Sequence, residues 1–478
     1  MTPVHTSRTR LKIGFEGIVN SINEELLDYK HTRHAYNVAF EKGRLTSSLG
    51  IDKAQGFYTD KTRHDYSTFA SSKQLKNIFY YRYFNSGAAD DRLIVQLRDN
   101  TFWHTKVLSQ AGWSQIQGLS LSGDVEAVNY RYNGVDILLL ASEDASLYYL
   151  SGNTATEIPD APHFASIEVY NERVFGCLNG SKTRLWFSDD FDPTDWDVNS
   201  QEAGFIEFAD DCGNLLKVVS FLGHLYIFRD YGIFRLTGYG DQSTFAVKKV
   251  YCETGRIYKR TIVHCGDKIV FLADEGLFAF DGYDVVRIAK EMPALKNQDT
   301  AVGAYLDKKY YLACSADVDA SFVISGAVNN SVIAYDLFDK TISMMAGFDV
   351  GAFCVVKTAY GSCLHCAFNT VSKNKLGQLS TSGKMFTSNL NKKYKSPYSN
   401  LGTNAFKTIR YLVVKTGYQI TLTVRLDGKT YAYTVPASAN PQKIIVEKSG
   451  VEFGMDITSN QPNFCVSPIT AVIDVMGE

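Results

Sequence analysis

The sequence predicts an all-β chain: a six- or seven-bladed β-propeller followed by a C-terminal β-sandwich. Three observations carry this. A strand-turn-strand unit recurs, apolar strand anchors return at steps of roughly 40 to 50 residues, and beyond about residue 389 the pattern sharpens into period-two alternation. Composition agrees, because 29 Tyr and 29 Phe against 10 Pro and 7 Met is the aromatic enrichment that half-buried pleated surfaces select.

The recurring unit is FRDYGIFRLTG, Phe228 to Gly238, matched by LADEGLFAFDG from Leu272 and by SEDASLYYLSG from Ser142, where Ser146 replaces the central glycine. Gly232 and Gly276 follow Asp-x in a tight turn and are expected at positive φ, where a side chain is strained. The strand anchors are RLIVQL from Arg92, DILLLAS from Asp136, RVFGCL from Arg173, LYIFRD from Leu225, KIVFLA from Lys268, YYLACS from Tyr310 and CLHCAF from Cys363. One antiparallel blade cannot cover both of its faces, whereas blades set radially bury each face on a neighbour. Closing such a ring needs a strand from one terminus to complete a blade made by the other. Asn37 to Phe40 and Leu49 to Ile51 are the candidates. The expected division is therefore 1–60, an N-terminal segment completing or bracing the propeller; 61–388, the propeller; and 389–478, the sandwich. Helical periodicity is allowed only at Ser21 to Tyr36 and Ile288 to Leu295.

The polar stretch from Asn389 to Asn404 reads as a linker or long loop, and six alternating strands follow it. Asp427-Gly428 between two of them is a two-residue hairpin signal of type I′.

A formal net charge of −2 supplies no basic footprint for sequence-specific nucleic-acid binding. No run approaches the roughly 20 apolar residues that span a bilayer, so neither membrane insertion nor secretion is expected. The nine cysteines are scattered, and Cys177, Cys265 and Cys314 lie in apolar runs, which suits buried thiols and assembly in a reducing cytoplasm.

Three clusters could carry chemistry. The first is RLWFSDDFDPTDWDV, Arg184 to Val198. Its aspartates lack the EF-hand spacing. Ser188, Asp190, Thr194 and Trp196 partly resemble the sialidase Asp-box, but Asp192-Pro193 stands where that motif has glycine. The reading preferred is a turn begun by Asp192-Pro193-Thr194 and pinned by Trp196. The second is Cys363-Leu-His-Cys366, which lacks the second ligand pair of a zinc site. In a strand, Cys363 and His365 share one face and Cys366 takes the other. The third, Lys392, Lys393 and Lys395, reads as a solvated loop. No Walker loop, nucleophile elbow or zincin motif is present. Two carboxylates brought together from distant strands, sufficient for glycoside hydrolysis, stay open. No catalytic, cofactor or metal residue is assigned, and no cofactor is expected.

Three segments resemble the β-propeller tail nozzle or tail-hub proteins, of the tail tubular protein B type, of short-tailed bacteriophages. In Gly17 to Ile51 the residues Ala35, Asn37, Val38, Phe40, Gly43, Leu45 and Gly50 match, while Ser48-Leu49 departs from the usual Arg-Pro. Asn171 to Trp196, with the strand pair after it, and Met385 to Val414 are the other two. The resemblance implies a structural virion protein without an active site, assembled as a homo-oligomeric ring, commonly a hexamer, around the DNA ejection channel. It also implies contacts with an adjacent tail ring or adaptor and with tail fibres, transient non-specific passage of viral DNA, and location in the virion tail. Two alternatives remain: an adhesin or baseplate protein binding host glycan, and a glycan-cleaving propeller.

Overall fold

The computed structural model describes residues 6–57, 63–66, 74–85, 87–109, 112–199, 202–252, 255–369 and 376–476. The chain is all-β, and among the described residues its helical content is four single 3-10 turns.

Five sheets follow one another as four-stranded antiparallel meanders over 75–120, 125–158, 164–207, 215–252 and 263–288. The sixth sheet begins as the same meander, Leu295–Leu306, Lys309–Ala316, Ser331–Asp336 and Ile342–Ala346. It then continues through Val38–Glu41, Arg44–Ser47 and Cys465–Val466. The seventh holds Val350–Thr358, Gly361–Phe368 and Gly377–Ser380, and its fourth strand is Gly50–Lys53 from the N-terminal segment.

Each sheet buries a face on the next. Apolar clusters join the first sheet to the second, the second to the third, the third to the fourth and the fourth to the fifth. Others join the fifth to the sixth, the sixth to the seventh and the seventh back to the first. The cycle closes. Corresponding strand ends also meet around it: Tyr81 Oη donates to Asp136 O (2.7 Å), Tyr130 Oη to Glu172 O (2.7 Å), and Tyr170 Oη to Gly238 O (3.3 Å). Tyr226 Oη donates to Gly282 O (3.3 Å) and Tyr80 Oη to Lys357 O (2.8 Å).

The recurring hairpin has a definite job within its own sheet. Asp230 accepts the Asn214 amide (2.7 Å), Asp274 the Arg256 amide (2.9 Å) and Asp144 the Ser122 hydroxyl (3.0 Å), so each carboxylate ties its turn to the chain entering that sheet. A positive-φ glycine lies against each of them: Gly213, Gly255 and Gly123. Of the two turn glycines, Gly276 takes the expected positive φ (+127) and Gly232 does not. What requires glycine at 232 is close approach, because a Cβ there would lie 2.9 Å from the Tyr251 carbonyl oxygen.

Two further sheets hold the C-terminal region. One runs Thr6–Ile13, Ile469–Met476, Lys407–Val414, Gln442–Gly450. The other runs His34–Tyr36, Lys392–Lys395, Phe453–Ser459, Ile420–Leu426, Lys429–Val435. Their inward faces share a core with the fifth and sixth sheets. Asp427 (φ 45) and Gly428 (φ 79) both take the positive angles of a type I′ turn.

Three expectations need correction. No helix forms at Ser21 to Tyr36, where a single 3-10 turn at Glu24–Leu26 is followed by strand pairing of His31–Thr32 and His34–Tyr36. None forms at Ile288 to Leu295, because Ala289 is left-handed (φ 48) and Pro293 disfavours the helical region for Met292. The supposed linker supplies the strand Lys392–Lys395, held between His34–Tyr36 and Phe453–Ser459. The segment 1–60 gives strands to the sixth sheet, the seventh and both C-terminal ones, and also to two two-stranded pairs, Gly17–Ile18 with His31–Thr32 and Gln55–Phe57 with Arg63–Asp65. Its boundary at residue 60 lies outside the described residues.

Candidate functional site

A cavity of about 320 Å³ lies where the seven sheets converge, and every sheet lines it: Asn77 to Phe79, Asp124 to Val128, Ile167 and Glu168, Lys217 and Val218, Lys259 and Arg260, Val302 and Gly303, Ala352 and Phe353. Lys259 and Arg260 belong to the 3-10 turn ahead of the fifth sheet, and the others come from or adjoin first strands. Charges gather here because the inner strands cannot all be apolar around an open axis.

Glu126 takes both Lys259 (3.4 Å) and Lys217 (3.8 Å), with a fifth of the Glu126 and Lys259 side chains still open to the cavity. Lys259 Nζ also donates to Ala165 O (2.5 Å), and Arg260 Nη2 to Gly351 O (2.6 Å). Burial alone would raise the Glu126 carboxyl, but the two ammonium groups outweigh it and hold the carboxyl below its ordinary range. Glu168 goes the other way. Burial, reinforced by the Glu126 charge, lifts it to about 7 against two backbone amide bonds and Lys217. Two interacting carboxyls driven apart in pKa sit in one cavity.

Sequence reasoning left these residues unassigned. A signal existed: Glu168 and Lys217 are each the lone charge of an apolar first strand, FASIEVY and LLKVVSF, and Glu126 interrupts the apolar start VEAV of its own. What no linear pattern supplies is their convergence from separate sheets.

The Asp189 to Asp197 loop lies elsewhere, between the third and fourth strands of the third sheet. Asp192 Oδ1 accepts from the Thr194 amide (2.8 Å) and hydroxyl (2.6 Å), Asp195 from the Asp197 amide (2.9 Å), and Asp197 from the Asn199 amide (2.9 Å). These are side chains closing their own turns. Trp196 is buried, donates to Pro193 O (3.0 Å) and packs on Phe164 with ring centroids 4.7 Å apart. Ser188 is buried against Val174, accepting its amide at 3.1 Å.

Cys363 joins the cluster between the seventh and first sheets and Cys366 the cluster between the sixth and seventh, so the two thiols face opposite ways. His365 is buried and meets Tyr66 Oη at 2.5 Å. Among the described residues, the group of His, Cys, Asp or Glu side chains compact enough for a metal is Asp210, Asp211 and Cys212. Asp210 there already holds the buried Arg229 guanidinium at 2.5 Å, a positive charge that opposes a cation. Lys392 corrects the solvated-loop reading. It is buried, donates to Leu390 O (2.9 Å) and Gly383 O (3.0 Å), and burial pushes its pKa down to about 8. Its neighbour Lys393 pairs with Asp319 at 2.6 Å. Among the described residues no helix is long and apolar enough to cross a membrane.

No protein-family model matches the chain, and no curated protein sequence matches it. Solved structures are similar in part. The crystal structure of Chaetomium thermophilum Raptor aligns with a TM-score of 0.44 and 12% identity over 68% of this chain and 29% of that one. The crystal structure of BBS1N in complex with ARL6DN, soaked with lead, aligns with a TM-score of 0.43 and 10% identity over 66% of this chain and 93% of that one. The chain thus spans under a third of the Raptor chain.

Proposed function

We propose that the seven sheets are the blades of a seven-bladed β-propeller, that the two C-terminal sheets form a β-sandwich, and that the chain is a structural ring subunit of a short-tailed phage tail. The observation that carries this is the path of the N-terminal segment. Within about fifty residues it supplies a strand to each C-terminal sheet, extends the sixth sheet and completes the seventh, so neither region can move without breaking sheet pairing. A rigid body of that kind suits a subunit that transmits load. Asn37, matched in the tail-protein resemblance, is the tie point. Its side chain donates to Ala346 O (3.2 Å) and Asn391 O (2.8 Å) and accepts the Ala346 amide (3.0 Å).

The DNA channel in this reading lies between subunits, because the propeller axis is occupied by the Glu126, Lys217 and Lys259 ion pairs. The ring docks an adjacent tail ring or adaptor and tail fibres. Deleting the gene from its phage should leave particles without a finished tail, and supplying the chain in trans should restore assembly and infection. Complete tails built without the chain would contradict the reading.

One observation favours a second reading, a glycan-cleaving propeller: the axial carboxyls of Glu126, held below its ordinary range, and Glu168, raised to about 7, the kind of divergence a glycosidase pair requires. Against it, two ammonium groups on Glu126 draw down its nucleophilicity. Polysaccharide hydrolysis by the purified chain that disappears in Glu168→Gln would establish it.

A further inference from the structure

Four consecutive sheets place one exposed aromatic residue in the same turn, the connection from third to fourth strand. Phe191 in the third sheet is 64% exposed, Tyr239 in the fourth 70%, Tyr283 in the fifth 75% and Phe338 in the sixth 77%. An aspartate accompanies each within two residues: Asp192, Asp241, Asp284 and Asp339. Corresponding ends of neighbouring sheets adjoin, as the Tyr170 and Tyr226 hydrogen bonds record, so these turns lie on one end of the ring. Three of the four turns are acidic: the loop 188–199 holds five aspartates, the turn 281–284 two and the turn 238–245 one, none of them with a basic residue, whereas in the sixth sheet Asp339 is followed by Lys340.

An aromatic face beside a carboxylate is a receptor for a cationic side chain, through cation-π attraction and a charge-assisted hydrogen bond. One of the four already shows the first half within the chain, with Lys308 Nζ 5.3 Å from the Phe338 ring centroid.

The complementary surface lies on the C-terminal sheet that begins with Thr6–Ile13. Arg8, Arg10 and Lys12 share one face of that edge strand at period two and are exposed, while Leu11 and Ile13 pack inward. Arg410 and Lys443 lie on the second and third strands across from it. Asp474 is shared between Arg8 (2.8 Å) and Arg410 (2.6 Å), whereas Arg10 and Lys12 have no ion-pair partner among the described residues.

We infer that the aromatic and aspartate turns of one copy of this chain receive the Arg8, Arg10 and Lys12 face of a second copy. Because the two surfaces are different, the contact is head to tail, the kind that generates rings or open filaments. The inference rests on the ring-subunit reading and names the surfaces that build the ring.

Sedimentation of the full chain tests it with two variants whose changes are exposed, Asp284→Lys/Asp339→Lys and Arg10→Glu/Lys12→Glu. Wild-type chain should self-associate at low salt and dissociate as salt rises. Each variant alone should lose association at least about tenfold, and an equimolar mixture should recover it, since each supplies the surface the other lacks. Tyr283→Ala/Phe338→Ala should weaken association with an unchanged melting temperature, which separates contact loss from misfolding. Three results would overturn the inference: wild-type chain staying monomeric at low salt, a charge variant associating like wild type, or no recovery on mixing. Loss of duplex-DNA binding in Arg10→Glu/Lys12→Glu with self-association intact would also overturn it and make the basic face a nucleic-acid contact. Failure of association with tail complementation intact would remove this interface and leave the tail role standing.

Discussion

Gly232 and Gly276 hold equivalent places in their hairpins and are required for different reasons. Valine at 276 strains a backbone at φ +127, and valine at 232 drives its Cβ onto the Tyr251 carbonyl. Both substitutions should cost about 1 to 3 kcal/mol in urea unfolding, and unchanged midpoints would contradict the hairpin geometry. Glu168 gives a pH signature. Its folded pKa of about 7 lies above the unfolded value, so the stability that the carboxyl contributes is complete below the unfolded pKa and lost as pH rises through the folded one. Glu168→Gln should therefore gain on wild type from pH 5 to pH 8, by at most about 3 kcal/mol. A pH-independent difference would remove Glu168 from the axis. In the aspartate loop, Trp196→Ala should cost about 3 to 5 kcal/mol. Joint replacement of Asp189, Asp190 and Asp195 by Asn should cost under about 1 kcal/mol, because Asn keeps most of the turn bonding. Asn variants that assemble yet fail to infect would give this loop a binding or catalytic role.

Hairpins were the elements most open to reading from sequence, because turn chemistry and apolar alternation are local. The Asp-x-Gly turn, the Asp427-Gly428 turn and the six strands after residue 404 all stand where composition places them. Local rules failed where distant strands decide the outcome. Ser21 to Tyr36 has apolar spacing tolerable for a helix, yet its backbone is captured by pairing with residues 17–18 and 393–395. Lys392 looked solvated because its neighbours are polar, yet the strand it occupies closes over it. The charges of the axial cavity show locally as interruptions of apolar strands, but their convergence does not, since Glu126, Glu168 and Lys217 come from three sheets. Asn37 concentrates the same non-local dependence in one side chain. Its left-handed backbone (φ 58) suits asparagine, and its side chain ties three partners. Asn37→Ala should cost about 2 to 4 kcal/mol, read by thermal melting. A neutral result would mean that the N-terminal segment does not lock the sixth sheet.

At the scale of the molecule, one chain closes a cycle of seven sheets and fastens a two-sheet C-terminal region to it through the N-terminal segment and through Cys465–Val466, which pairs onto the sixth sheet. Rigidity follows from connectivity, and in the proposed function it serves a ring around a tail lumen. Cryo-electron microscopy of the particle that carries this gene measures the claim directly. The proposed function requires a closed ring of this chain on the tail axis, with the lumen between subunits and each propeller axis shut. Copies confined to the periphery as fibre-borne trimers, or absent from the tail, would contradict it.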